Sequence, residues 1–283
     1  MISKHHIKRE NGFKKITIGE GKPIVSVITG IHGDEKTSMI IAEHLRKVNL
    51  LRGTLKIYLD VNEPACMSNR RYLNKDLNRV FPGIETGIDE EKIASRLLKE
   101  ISDSSIVIDL HSFNMNSDVF TICNESTIDL AASFTPDAMW LLDLTEEMYN
   151  GTMYYYLTKK NIPNLIVELP SLECLTKDHV ERLRQCTDNL LKYMNMIEGE
   201  FERKVLPIYN RKIYFAPSHG IFVPYKKINE TVEKGDLLGI MIQENYEERQ
   251  IFAHERGVLI QIRHSSLVHP EETIYALGER VDV

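Results

Sequence analysis

His32 and Glu35 stand three residues apart in GIHGDE (30–35), where a β-branched run ends and a helical pattern begins. An imidazole from a turn and a carboxylate from the first turn of the following helix can converge on one cation, and zinc accepts that mixture of nitrogen and oxygen ligands in catalytic sites. Gly30 and Gly33 let the backbone turn sharply beside them. A turn histidine with an acid placed at a helix N-terminus accounts for the same segment, so other residues must decide. His111 ends the apolar run IVIDLHS (106–112). The carboxyl end of a strand is where open α/β folds bind ligands, which makes His111 the natural third ligand. Asp109 lies two residues earlier and on the same strand face. It either orients an imidazole or satisfies backbone groups nearby.

Two further segments carry charge where packing is expected. NRRYLNKDLNRVFPG (69–83) gathers Arg70, Arg71, Asp76, Asn78 and Arg79 in one loop, while Tyr72, Leu77, Val80, Phe81 and Pro82 require parts of it to be packed. Guanidinium groups held in such a loop suit bidentate recognition of a carboxylate or polarisation of a carbonyl, and Asp76 could hold one of them in place. In LIVELP (165–170) Glu168 interrupts an apolar strand. A carboxylate there is either paired with a loop arginine or desolvated with a raised pKa, the state expected of a general base beside a metal site.

These residues need a scaffold, and the first two-thirds of the chain supplies alternating strand and helix patterns. PIVSVITGI (23–31), GTLKIYLDVN (53–62), SIVIDLHS (105–112), VFTIC (119–123), AMWLLDL (138–144) and NLIVELP (164–170) read as strands. Helical periods cover about 35–48, 91–101 and 177–198, the last with Val180, Leu183, Leu190, Leu191 and Met194 on one face. This predicts an α/β fold with a mostly parallel, mixed sheet flanked by helices over residues 1–203. From about Phe201 the texture changes to short strands and turns, which predicts a smaller all-β domain over 204–283. Within it APSHGIFV (216–223) is repeated as AHERGVLI (253–260), each followed by a second apolar strand. The pattern is similar to the half-barrels of biotinyl and lipoyl carrier domains, but no lysine stands at a hairpin tip. A barrel-sandwich unit that walls the site or assembles the chain into a homo-oligomer is expected, with Tyr225 and Tyr275 as its contributors to the pocket.

Composition excludes several classes. A net charge of −6 with scattered basic residues gives no electrostatic footprint for nucleic acid. The sequence contains no run of 18 apolar residues and no signal-like stretch after MISKHHIKRENG, so no membrane partner and a cytoplasmic location are expected. Cys66, Cys123, Cys174 and Cys186 form no CxxC pair and read as small buried hydrophobes.

In the order GIHGDE, NRRYLNKDLNRVFPG, IDLHS and IVELP, the segments resemble the succinylglutamate desuccinylase/aspartoacylase family, a branch of the zinc carboxypeptidase-like fold. The resemblance implies one zinc ion per chain held by His32, Glu35 and His111, and Glu168 as the catalytic carboxylate. It further implies that Arg71 polarises the scissile carbonyl, that Asn78 and Arg79 hold the carboxylate of a small substrate, and that Asp76 positions. Deacylation of an N-acyl amino acid follows. The alternatives are a metallocarboxypeptidase acting on short peptides and a silent metal- or carboxylate-binding protein. Two departures stand out: Leu-Pro replaces Val-Gly after Glu168, and MYYYLTKKNIPN (153–164) has no arginine where aspartoacylases carry one before the glutamate. N-acetylaspartate is therefore not the expected substrate.

Overall fold

Parallel strands buried on both faces form the centre of the structure, a computed structural model that describes residues 6–113, 115–142 and 149–281. The hairpin β1 (Lys8–Glu10) and β2 (Phe13–Glu20) lies at one edge, followed in space by β4 (Gly53–Leu59), β3 (Ile24–Ile28), β5 (Ile106–Ser112), β9 (Asn164–Leu169), β7 (Phe120–Cys123) and β8 (Ala138–Leu141). β4, β3, β5 and β9 run parallel, β7 runs antiparallel to β9, and β8 is parallel to β7. β5 reads as a continuous apolar run because every one of its residues is buried. Of the expected strand 138–144, Ala138–Leu141 is observed, and residues 143–144 lie outside the described residues.

Helices cover both faces. α1 (Ser38–Leu45) and α6 (Lys177–Tyr193) pack against a core that includes Val25, Val27, Leu55, Ile108 and Leu165. α3 (Asp89–Ile101) buries Ile93, Ala94, Leu97 and Ile101 against the opposite face, and the Glu91 side chain accepts a hydrogen bond from the Ile88 N–H at its start. Thr176 caps α6 by accepting from the His179 N–H at 3.3 Å. The short helices α2 (Glu63–Met67), α4 (Ile128–Ser133) and α5 (Met153–Lys159) complete this part. α1 begins at Ser38, not Glu35, so Glu35 belongs to the preceding turn.

The C-terminal strands are β10 (Ile208–Phe215), β11 (Gly220–Pro224), β12 (Thr231–Val232), β13 (Leu237–Gln243), β14 (Glu248–Phe252), β15 (Gly257–Ile262), β16 (Ser266–Val268) and β17 (Thr273–Arg280). The sequence repeat is visible in their pairing. β11 pairs with β13 and β15 with β17, while each copy's short strand pairs with the other copy's first strand, Val232 opposite Gly257 and Val268 opposite Gly220. The unit has its own core around Phe222, Leu238, Met241, Leu259 and Tyr275. It is nevertheless continuous with the large sheet: β10 pairs in parallel with β8, and β15 pairs with β6 (Asn116–Ser117), a short strand five residues after His111.

That continuity makes a prediction. Deleting residues 204–283 leaves β8 as an unpaired edge and uncovers Trp140, which is 2% exposed in the intact chain. The fragment is expected to aggregate in size-exclusion chromatography. A monodisperse fragment would contradict the structural dependence drawn here.

Candidate functional site

The GIHGDE turn leaves β3 and is pressed against α2. A Cβ on Gly30, whose φ is +72°, would meet Asp60 Cα at 2.7 Å, and one on Gly33 would meet the Ala65 carbonyl carbon at 2.1 Å, so neither position admits a side chain. The turn thereby brings His32 and Glu35 over the end of β5, where His111 emerges. Ligand atoms of His32, Glu35 and His111 all lie within 4.8 Å of one another, and all three side chains are buried. His32 Nδ1 is 2.7 Å from Glu35 Oε1, and His111 Nδ1 is 3.0 Å from Glu35 Oε2. The Ser112 N–H donates to Glu35 Oε2 at 2.9 Å.

Each histidine turns Nδ1 inward and Nε2 toward a second carboxylate. His32 Nε2 is 3.0 Å from Asp76 Oδ1, and His111 Nε2 is 3.0 Å from Asp109 Oδ2. The second contact has ion-pair distance without hydrogen-bond alignment, and neither Asp109 oxygen bonds any backbone group among the described residues. Asp109 is thus the outer partner of His111, the first of the two roles open for it.

The donor set fits a zinc ion: two imidazoles and one carboxylate, the nitrogen and oxygen mixture that catalytic zinc sites use. The electrostatics agree. The two Nδ1 atoms are 3.1 Å apart, a separation that requires a proton or a cation between their lone pairs. Burial opposes charge on both rings, but Glu35 with Asp76 raises the His32 pKa, and Asp109 with Glu35 holds that of His111 well above its usual range. Burial likewise opposes charge on Glu35, yet His32 and His111 keep it well below the ordinary carboxylate range. Glu35, Asp76, Asp109 and Glu168 surround a site whose nearest permanent cation is Arg71, so a divalent ion would balance the concentration of carboxylates there.

The loop at 69–83 packs against this cluster. Arg71 donates to Glu35 Oε1 at 3.2 Å and to Asp76 Oδ2 through Nε at 3.3 Å and a terminal nitrogen at 3.2 Å. Asp76 also accepts from the Asn78 N–H at 2.8 Å; burial opposes its charge, but His32 and Arg71 hold its carboxyl far below its ordinary range. Asn78 Oδ1 caps α5 by accepting from the Met153 N–H at 2.9 Å, which leaves its amide nitrogen as the free donor among the described residues. Arg79 is exposed, with one nitrogen donating to the Asn78 carbonyl at 2.7 Å.

Glu168 is the register neighbour of His111, because β5 and β9 pair in parallel with those two residues opposite. Their side chains therefore share one face of the sheet. No described side chain donates a hydrogen bond to Glu168. Burial pushes its carboxyl up to about 7, opposed by His111 and Arg211 and aided by Glu35. His32, Glu35, Arg71, Asn78, Arg79, His111 and Glu168 all line one cleft of about 1280 Å³.

Three cleft residues had no signal in the sequence. Trp140 of β8, Tyr154 of α5 and Arg211 of β10 line it; Trp140 and Arg211 sit in segments without motif of their own, and Tyr154 lies in MYYYLTKKNIPN, which stands out only for its missing arginine. The contribution expected from Tyr225 and Tyr275 is corrected. Tyr225 is 55% exposed, and Tyr275 is buried in the C-terminal core with its hydroxyl on His254 Nδ1 at 2.5 Å, so neither reaches the cleft. Three of the four cysteines are buried as expected, and Cys174 is half-buried.

Comparison with known proteins adds an independent observation. The family model of the succinylglutamate desuccinylase/aspartoacylase catalytic domain matches residues 22–194. A succinylglutamate desuccinylase of Photorhabdus laumondii is 26% identical over 258 residues, 80% of this chain and 78% of that protein. Among solved structures, a succinylglutamate desuccinylase/aspartoacylase from Rhodobacter sphaeroides gives a TM-score of 0.81 at 20% identity, covering 96% of this chain and 90% of its own. The product-bound ectoine utilization protein EutE (DoeB) from Ruegeria pomeroyi gives 0.83 at 18% identity, covering 93% and 88%. At such identities the two structures speak for a shared fold.

Proposed function

The chain belongs to the succinylglutamate desuccinylase/aspartoacylase catalytic-domain family, and on that premise we propose that it hydrolyses the amide of an N-acyl amino acid at a zinc ion, one per chain, bound by His32, Glu35 and His111. The observation that carries this reading is the placement of Glu168 beside His111 on the face that holds the ligand cluster. When bound, the zinc supplies Lewis acidity that activates a water and polarises the amide carbonyl. Asp76 accepts from the outer nitrogen of His32, and Asp109 lies at ion-pair distance from that of His111, so that the two carboxylates fix which nitrogen of each ring faces inward. Glu168 takes the proton of the attacking water and returns it to the leaving amine. The Arg71 guanidinium, which is bonded to Glu35 and lines the cleft, donates to the carbonyl oxygen as negative charge grows there. The free amide nitrogen of Asn78 and the guanidinium of Arg79 hold the substrate carboxylate.

A second reading, a carboxypeptidase acting on short peptides, is favoured by one observation. The cleft of about 1280 Å³ is wider than the ~300–1000 Å³ usual for small-molecule sites.

The two arginines are expected to behave differently. The substrate carboxylate is present in the ground and transition states alike, so Arg79→Met raises KM more than it lowers kcat. Loss of one charge-assisted anchor is worth about 2–4 kcal/mol, so kcat/KM falls roughly 30- to 1000-fold. Arg71→Met lowers kcat more than it raises KM, because its partner charge develops only during attack. The comparison uses a substrate and its amide-capped analogue on wild type and both variants. If Arg79→Met keeps the wild-type preference for the free carboxylate, that group is bound elsewhere.

A further inference from the structure

We infer that Arg211, supplied by the C-terminal β unit, is a specificity-determining residue that binds a second carboxylate of the substrate, besides the one held at Asn78 and Arg79. The inference rests on the reading of the cleft as an amide-hydrolysing site and concerns which substrates it takes. Arg211 is the fourth residue of β10; its neighbour Lys212, which also lines the cleft, is already paired with Glu255 at 2.9 Å. Its guanidinium carbon lies 4.2 Å from the centroid of the Trp140 ring and 5.9 Å from that of Phe113. Stacking of this kind fixes the plane of the guanidinium and leaves its N–H edges for other partners. One nitrogen donates to Gln261 Oε1 at 3.3 Å. No carboxylate among the described residues lies within ion-pair distance of it; it is half-buried, lines the same cleft as Glu168, and desolvation lowers its pKa against the longer-range pull of that carboxylate.

A partly desolvated guanidinium whose N–H edges are not filled by a carboxylate among the described residues gains when an anion binds. The planar fork selects a carboxylate, which it can grip with two parallel hydrogen bonds. β10 joins the sheet at β8, beyond β9 and β7 from β5, which carries His111. Arg211 therefore enters the cleft from an element remote in sequence from the Asn78–Arg79 loop. Two guanidinium groups on separate elements suit a substrate with two carboxylates, the second carried either on the amino-acid side chain or on the acyl arm.

The test uses zinc-loaded protein and three probes: N-acetylglycine with one carboxylate, N-acetyl-L-glutamate with the second on the side chain, and N-succinylglycine with the second on the acyl arm. Dissociation constants are measured by calorimetry in a Glu168→Gln background, and kcat/KM with Glu168 intact. One of the two dicarboxylates is expected to bind more tightly than N-acetylglycine, and its identity names the source of the second carboxylate. Arg211→Met is expected to reduce that ratio about 10- to 100-fold, the worth of a charged hydrogen bond. Arg211→Lys should recover only part of it, since a lysine lacks the fork. A ratio that survives Arg211→Met overturns the inference, as does a wild-type ratio near one. A fall in kcat with the ratio intact would mean that Arg211 acts through Glu168. Arg211-dependent binding without turnover of any probe would discard the hydrolase reading and leave the carboxylate site standing.

Discussion

Glu168→Gln is expected to keep its metal and lose its catalysis, with kcat lower by about 10²- to 10⁴-fold, the usual contribution of a positioned general acid–base group. The amide matches the carboxylate in shape but accepts no proton. Glu168 is not one of the three clustered ligands, so zinc content should stay near one per chain. Nor does it hold the fold together: no described residue donates a hydrogen bond to it, and burial raises its pKa to about 7. Removing a desolvated carboxylate that accepts no hydrogen bond among the described residues should leave the melting temperature unchanged or higher. Elemental analysis, turnover and a melting curve on one preparation separate these effects. Turnover within tenfold of wild type would assign the proton transfer to another group.

His111→Ala is expected to abolish zinc binding and activity together. It removes one of the three residues proposed to hold the metal and strands two buried carboxylates, since Glu35 Oε2 loses a partner at 3.0 Å and Asp109 its partner at 3.0 Å. The loss in metal affinity should exceed the roughly 10- to 100-fold that removal of an outer hydrogen-bonding partner costs. Asp109→Asn, which disturbs that outer contact alone, should fall within this smaller range. Full zinc occupancy in His111→Ala, measured by elemental analysis, would place the metal elsewhere.

The legible part of the site was the part built from local sequence. His32, Glu35 and His111 each end a strand or follow one within a few residues, and a strand's carboxyl end points to one rim of the sheet, so reading the strands located them. Glu168 was visible because a charge inside an apolar strand must be paired or functional. The family and the mixed α/β fold with its smaller β region were legible for the same reason.

What escaped was set by tertiary contact. The helical pattern at 35–48 extends three residues before α1 because Glu35 and Lys36 are good helix formers, but the Glu35 side chain is drawn to His32 and His111 and its backbone stays in the turn. The antiparallel placement of β7 beside β9 leaves no mark in VFTIC, which would read the same in either direction. Arg211 occupies an alternating strand among Asn210 and Lys212, and only the pairing of β10 with β8 brings it over Trp140. Tyr275 was expected at the cleft for its chemistry, whereas the β unit uses it as core, stacked on Tyr214 with ring centroids 4.5 Å apart.

The most direct test of the central claim is release of free amine from a panel of N-acyl amino acids and short peptides by the purified protein, before and after treatment with a chelator and again after zinc is restored. The account predicts release from at least one N-acyl amino acid with a free carboxylate, its loss on chelation and its return with zinc. Release that persists in the metal-free protein, or release from peptides alone, would contradict it.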